Sequence, residues 1–96
     1  MSEVTITRHG GEGAGEYHAH VAGSSAIGRL TWVQRGASRV AEHTLVPREI
    51  GGQGVAARLV EALVADARAE GFTIVPACSY VAAMFKRHPE WSDLKA

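Results

Sequence analysis

Hydrophobic and polar positions alternate in four short runs along the first half of the chain: Val4 to His9, Glu16 to Ala22, Ala26 to Gln34 and Arg39 to Val46. A period of two belongs to strands with one buried face. Gly10–Gly15, Gly23–Ser25 and Gly36–Ala37 interrupt the runs, and three short connections between four strands predict an antiparallel meander. In the third run Ile27, Leu30 and Trp32 are the core candidates. The period then changes. Val55, Leu59, Leu63 and Ala67 repeat at intervals of four, flanked by Val60 and Val64, which predicts an amphipathic helix from Gln53 to Glu70 stopped by Gly71. At 1.5 Å per residue such a helix is roughly 27 Å long. Phe72 to Ala77 is a short apolar fifth strand, and Tyr80 to Arg87 suits a second helix ended by His88–Pro89. Glu90 to Ala96 reads as a tail anchored by Trp91 and Leu94.

A strand–helix–strand unit of this length makes its two strands parallel, with a right-handed crossover. The predicted class is therefore α+β. A mixed, mostly antiparallel five-stranded sheet carries a long helix after strand four and a second helix after strand five. With 96 residues and no internal repeat or linker, residues 1–96 are expected to form one domain. Ten basic residues balance ten acidic ones, so a nucleic-acid partner is not expected. No apolar stretch reaches the roughly 20 residues that span a membrane. Met1–Val4 shows no basic run leading into an apolar one, so no secretory leader is expected. Cys78 is the single cysteine, which excludes an internal disulfide and fits a reducing, cytoplasmic setting.

The most informative segment is Pro47-Arg48-Glu49-Ile50-Gly51-Gly52-Gln53-Gly54-Val55-Ala56-Ala57. It joins a strand to a long helix through glycines. A helix N-terminus carries amides without intrahelical partners and a partial positive charge, and glycine allows close backbone approach, so this segment reads as a phosphate cradle.

The order of elements resembles that of the GNAT superfamily of acetyl-CoA-dependent N-acetyltransferases, in its short single-domain branch. The residues that carry the resemblance are Glu42 to Pro47, Gly52 to Ala56, Val75 to Val81 and Phe85 to Trp91. The superfamily's pyrophosphate motif reads Arg or Gln, two residues, Gly, one residue, then Gly or Ala. Gly54 and Ala56 match its last two key positions, while Gly51 stands where Arg or Gln is expected. The resemblance implies binding through backbone amides, weakened rather than abolished. Arg48 supplies charge only if the turn brings it back.

The resemblance further implies acetyl-CoA as donor and an amine as acceptor, a protein lysine or a small polyamine. Cofactor contacts then fall to Thr44, Leu45 and Val46 on the fourth strand, to Gly51, Gly52, Gln53, Gly54, Val55 and Ala56, and to Lys86. In such folds strands four and five splay apart and the pantetheine arm pairs with the exposed backbone of His43 to Val46. Proton-transfer candidates are Glu42 and His43; adjacent strand residues face opposite sides, so only one of them can face the acyl group. Cys78, beside the expected thioester, is a candidate for transient acetylation or for protonating the departing CoA, and Tyr80 is a competing acid. No residue clearly owns the late tyrosine found in many superfamily members. The alternative is a CoA or acyl-CoA binding module without efficient catalysis. No helices stand between the first two strands, so the acceptor side is expected to be shallow and open.

Two other features are set aside by the sequence. Gly10–Gly15 lacks full dinucleotide spacing and reads as a hairpin loop. His18 and His20 share a strand face, but no third ligand is evident nearby, so no metal is expected. A monomer, or a weak homodimer through a sheet edge, is the expected state.

Overall fold

The computed structural model describes residues 3–96, so Met1 and Ser2 of the expected domain lie outside the described residues. Five strands form one sheet in the order β1 (Val4–Gly10), β2 (Ala14–Val21), β3 (Ile27–Arg35), β4 (Ser38–Leu45), β5 (Thr73–Pro76). The first four pair antiparallel and β5 joins β4 in parallel, as the crossover through a helix requires. Helix α1 (Val55–Glu70) follows β4, and α2 (Ser79–Arg87) follows β5. Among the described residues no helix is long and apolar enough to cross a membrane.

Alternation decides which face is buried. Tyr17, Ala19, Val21, Leu30, Trp32 and Ala41 form the inner face of the sheet, against Val55, Leu59, Val60, Leu63, Val64 and Ala67 of α1. Ile27 has the opposite parity to Leu30 and Trp32, and it is half-buried rather than a core residue. Gly28 takes the inward position instead. A Cβ there would come within 2.9 Å of Val55 Cγ1, so the missing side chain lets α1 settle onto β3. Helix α1 starts at Val55, two residues later than its pattern suggests, because Gly54 is left-handed (φ 74°) and serves as the N-cap. The tail is anchored as expected: Trp91 and Leu94 are buried in a 3-10 turn, Pro89–Leu94. Beyond it the Ala96 amide donates to the Ile74 carbonyl at 2.9 Å, and Lys95 forms a parallel bridge with Ile74.

One polar chain crosses the edge of the core. The Arg39 guanidinium lies between the rings of Trp32 and Phe72, 3.9 and 4.2 Å from their centroids. It donates to the Tyr17 hydroxyl at 2.8 Å, which donates to Asp66 Oδ2 at 2.8 Å. Asp66 also accepts a forked pair from Arg8 at 2.8 and 3.0 Å. Burial alone would raise the Asp66 carboxyl, but the Arg8 and Tyr17 hydrogen bonds more than offset it and hold it below its ordinary value. Burial first, and donation to Asp66 second, raise the Tyr17 phenol. The chain ties β1, β2 and β4 to α1.

Two stability outcomes follow. Gly28→Ala is expected to destabilise the fold by about 1–3 kcal/mol in denaturant titration, because the new methyl overpacks against α1. Gly13→Ala, with open space around its Cβ position, should stay within about 0.5 kcal/mol of the parent. Asp66→Asn should cost about 1–2 kcal/mol near neutral pH, the solvent-exposed side of Arg8 limiting the loss. Asp66 titrates lower when folded than its unfolded value of 3.8. Its contribution is therefore complete above that value and is lost as pH falls through the folded one. The Tm difference between parent and variant should hold steady at neutral pH and close in acid. A difference that persists unchanged into strong acid would contradict the assignment.

Candidate functional site

The site begins where β4 and β5 part. Their pairing runs from Ser38↔Thr73 to Ala41↔Pro76, and the Cys78 amide then donates to the Ala41 carbonyl at 2.9 Å. Past that bond β4 continues to Leu45 paired with β3 alone, while the other chain turns into α2. A wedge opens between them. Leu45, the last residue of β4, lies opposite Arg29 and is a 60% exposed large hydrophobic residue. With Ser25, Ile27, Arg29, Val46 and Pro47 it lines a groove of about 480 Å³.

A bulge sits at the same point. The β3–β4 register passes from Trp32↔Ala41 to Thr31↔His43, so Glu42 is an extra residue with no partner across the ladder. The bulge resets the alternation. Glu42 lines a groove of about 670 Å³ with His9, Glu16, His18 and Thr31, on the sheet face away from α1. His43, opposite Thr31, shares that face and is exposed. The expectation that only one of the two could point to one side is corrected: strict alternation fails at the extra residue, and both lie on the open face. Thr44, opposite Leu30, turns inward.

That inward turn brings Thr44 to Cys78. The hydroxyl Oγ1 lies 3.5 Å from Cys78 Sγ. Cys78 is the N-cap residue of α2 and its side chain makes no capping hydrogen bond there, but the nearby backbone amides of Val81, Tyr80 and Thr44 favour its thiolate electrostatically. Burial would raise this thiol. The Thr44 hydroxyl and the three amides outweigh burial, and the thiol is held below its ordinary value of 9.0. Tyr80 thus meets the sulfur through its backbone, while its ring packs half-buried against the core.

The glycine segment folds as two pieces. Arg48–Ile50 makes one 3-10 turn, buries Ile50, and ends with the Gly51 amide donating to the Arg48 carbonyl at 3.1 Å. Gly51 therefore shapes the turn and offers no free amide. Gly52 (φ 75°) and Gly54 (φ 74°) are both left-handed, where a side chain would be strained. No side chain caps α1, and its first intrahelical bond is Arg58 N–H to Gly54 O at 3.1 Å. The amides of Gly54, Val55, Ala56 and Ala57 thus lack intrahelical acceptors. A cavity of about 540 Å³ opens here, lined by Val4, Gly52, Gln53, Gly54, Ala57, Arg58 and Glu61.

Arg48 is exposed on the 3-10 turn and does not line this cavity. Arg58 does, and it went unnoticed in the sequence. Its Nη2 reaches back to the Val4 carbonyl at 3.3 Å, because helical side chains lean toward the N-terminus. That lean is the signal that could have found it. Lys86 is exposed in the last turn of α2 and lines none of these grooves. The structure therefore joins Thr44, Cys78 and Tyr80 at the start of α2 and Glu42 with His43 on the open face, and it leaves Lys86 apart.

A family model described as GCN5-related N-acetyl-transferase matches residues 16–94. Among solved structures, the solution NMR structure of a GCN5-like candidate N-acetyltransferase from Staphylococcus aureus is similar, with a TM-score of 0.72 and 26% identity. The match covers 100% of this chain and 91% of that one. No curated protein matches the chain.

The alkylation rate of Cys78 by iodoacetamide, followed against pH, is expected to show a midpoint below that of an unperturbed cysteine thiol. Thr44→Val removes one donor to the sulfur and should move that midpoint upward. An unperturbed midpoint, indifferent to Thr44, would contradict the geometry.

Proposed function

Because this chain belongs to the GCN5-related N-acetyltransferase family, we propose that it transfers an acetyl group from acetyl-CoA to a primary amine, on a protein lysine or a small polyamine. The observation that carries the reading is the division of chemistry across the wedge. The amide cradle and the Cys78 thiol lie on the helix-bearing side, and Glu42 with His43 lies on the open side.

The diphosphate of acetyl-CoA takes the free amides at the start of α1, with Arg58 supplying the cationic side chain. The absence of Arg or Gln at position 51 is compensated there. The pantetheine arm runs along Thr44, Leu45 and Val46 toward the wedge, against the exposed Leu45 side chain. The neutral amine attacks the thioester carbonyl carbon from the open face. A C–N bond forms and the carbonyl pair moves to oxygen, where an unpaired β4 amide stabilises the charge. The proton of the new ammonium passes to Glu42, and the exposed His43 beside it leads to solvent. The carbonyl re-forms, the C–S bond breaks, and the CoA thiolate takes the proton of Cys78. The donors around the sulfur stabilise the cysteine thiolate left behind, and solvent reprotonates it. The same donors favour a second reading, in which Cys78 attacks the thioester first and holds the acetyl group before the amine does.

No helix separates β1 from β2, so the groove at Glu42 is broad, and its carboxylates favour an acceptor that carries a further cationic group beside the neutral amine that reacts. Turnover with a panel of amines tests the activity through amine-dependent release of CoA. Arg58→Ala is expected to raise the KM for acetyl-CoA about five- to tenfold, the loss of about 1–1.4 kcal/mol, and to spare kcat. Cys78→Ser should lower kcat instead. Mass spectrometry of protein mixed with acetyl-CoA alone separates the two routes: acetylated Cys78 supports the second, and an unmodified chain that still turns over supports the first. Binding of acetyl-CoA without release of CoA by any amine would reduce the protein to a binding module.

A further inference from the structure

Three imidazoles meet on the open face of the β1–β2 hairpin. The register sets Thr7 opposite His18, Thr5 opposite His20 and His9 opposite Glu16. His9 is thus the diagonal neighbour of His18, and their rings stack with centroids 3.9 Å apart. One ring nitrogen from each of His9, His18 and His20 lies within 4.8 Å of the other two. The third ligand that the sequence did not reveal comes from the neighbouring strand.

Two further contacts orient the set. Glu16 Oε1 lies 2.8 Å from His18 Nε2, which leaves Nδ1 of that ring to act as a ligand. A carboxylate behind an imidazole is the usual outer partner of a metal-bound histidine. Thr7 Oγ1 lies 2.7 Å from His9 Nε2 and 2.8 Å from His20 Nε2, so both nitrogens are aimed at one point. A hydroxyl has a single hydrogen, so at least one of these nitrogens donates its own proton to Thr7. That proton can move to Nδ1 or leave when a cation takes its place.

Three neutral imidazoles with an open fourth position suit a borderline divalent ion better than the oxygen-seeking Mg2+ or Ca2+. In a tetrahedral site the nitrogens stand about 3.4 Å apart. From separations of up to 4.8 Å the observed cluster needs to close by up to about 1.4 Å, which χ rotation of side chains facing no helix allows.

We propose that His9, His18 and His20 form a binding site for one divalent transition ion of the zinc type, with Glu16 orienting His18 and a water or the Thr7 hydroxyl as fourth ligand. The ion clamps β1 to β2.

Calorimetric titration of chelator-stripped protein with ZnCl2 tests this without acetyl-CoA or an amine, so its outcome is independent of the catalytic reading. A saturable one-to-one isotherm is expected. His18→Ala/His20→Ala should abolish it, and Glu16→Gln should weaken it about tenfold or more. Cys78→Ser should leave it unchanged, and Co2+ should give visible tetrahedral bands without a thiolate charge-transfer band. In the unmutated protein, imidazole 15N resonances of His9, His18 and His20 should shift with zinc while those of His43 and His88 stay. This readout does not depend on any variant folding. No isotherm with zinc, binding that survives the double histidine variant, loss of binding in Cys78→Ser, or shifts confined to His43 or His88 would each overturn the proposal.

Discussion

The hydrogen bond from the Cys78 amide to the Ala41 carbonyl is the last backbone-to-backbone one that β4 and the segment after β5 share, and the rest of the site is arranged around its being the last. Up to that bond the two strands are an ordinary parallel ladder. Beyond it β4 keeps only one neighbour, and half of its backbone groups face a space that a ligand can fill. A sheet normally tolerates no such opening within its body, because unpaired backbone groups away from water are costly. The fold contains that cost by three local devices. The Glu42 bulge bends the strand, α2 begins at once with its free amides near the Cys78 sulfur, and the glycine turn returns the chain as α1 beneath the sheet.

These devices are chemically coupled by position alone. The bulge keeps Glu42 on the face without helices, brings His43 to it, and sends Thr44 the other way, to Cys78. One extra residue therefore sorts a carboxylate and an imidazole from a thiol. Were alternation regular through Glu42, Thr44 would turn outward and the sulfur would lose a donor. The Arg39–Tyr17–Asp66–Arg8 chain plays the opposite part. It fixes strands to α1 at the edge of the core, so that the wedge opens within a sheet that is otherwise held.

The elements were legible from period alone: every strand and both helices lie within about two residues of their patterned runs. The Gly51–Gly54 turn was legible too, because a strand, several glycines and an amphipathic run leave few alternatives to a glycine-led helix N-terminus. Three details were not. The bulge at Glu42 arises from pairing between strands, and nothing in the local sequence of β4 announces an extra residue. Arg58 approaches the cradle only because of the backward lean of helical side chains, a geometric fact that spacing does not express. His9 reaches His18 through a hairpin register set by Gly10↔Gly15, and that register was not worked out from the loop. Each missed feature depends on which residues stand opposite one another, whereas each recovered feature depends on the order of residues along one segment.

The bridge between Ile74 and Lys95, with the Ala96 amide on the Ile74 carbonyl, has a bearing on how two copies could meet. It obstructs the outer margin of β5, since a foreign ribbon arriving there would have to displace residues already docked. The opposite margin, β1, has no such shield among the described residues. Any continuous ten-stranded assembly would therefore be joined head to head at β1, with the two wedges at its far ends and neither one obstructed by the seam.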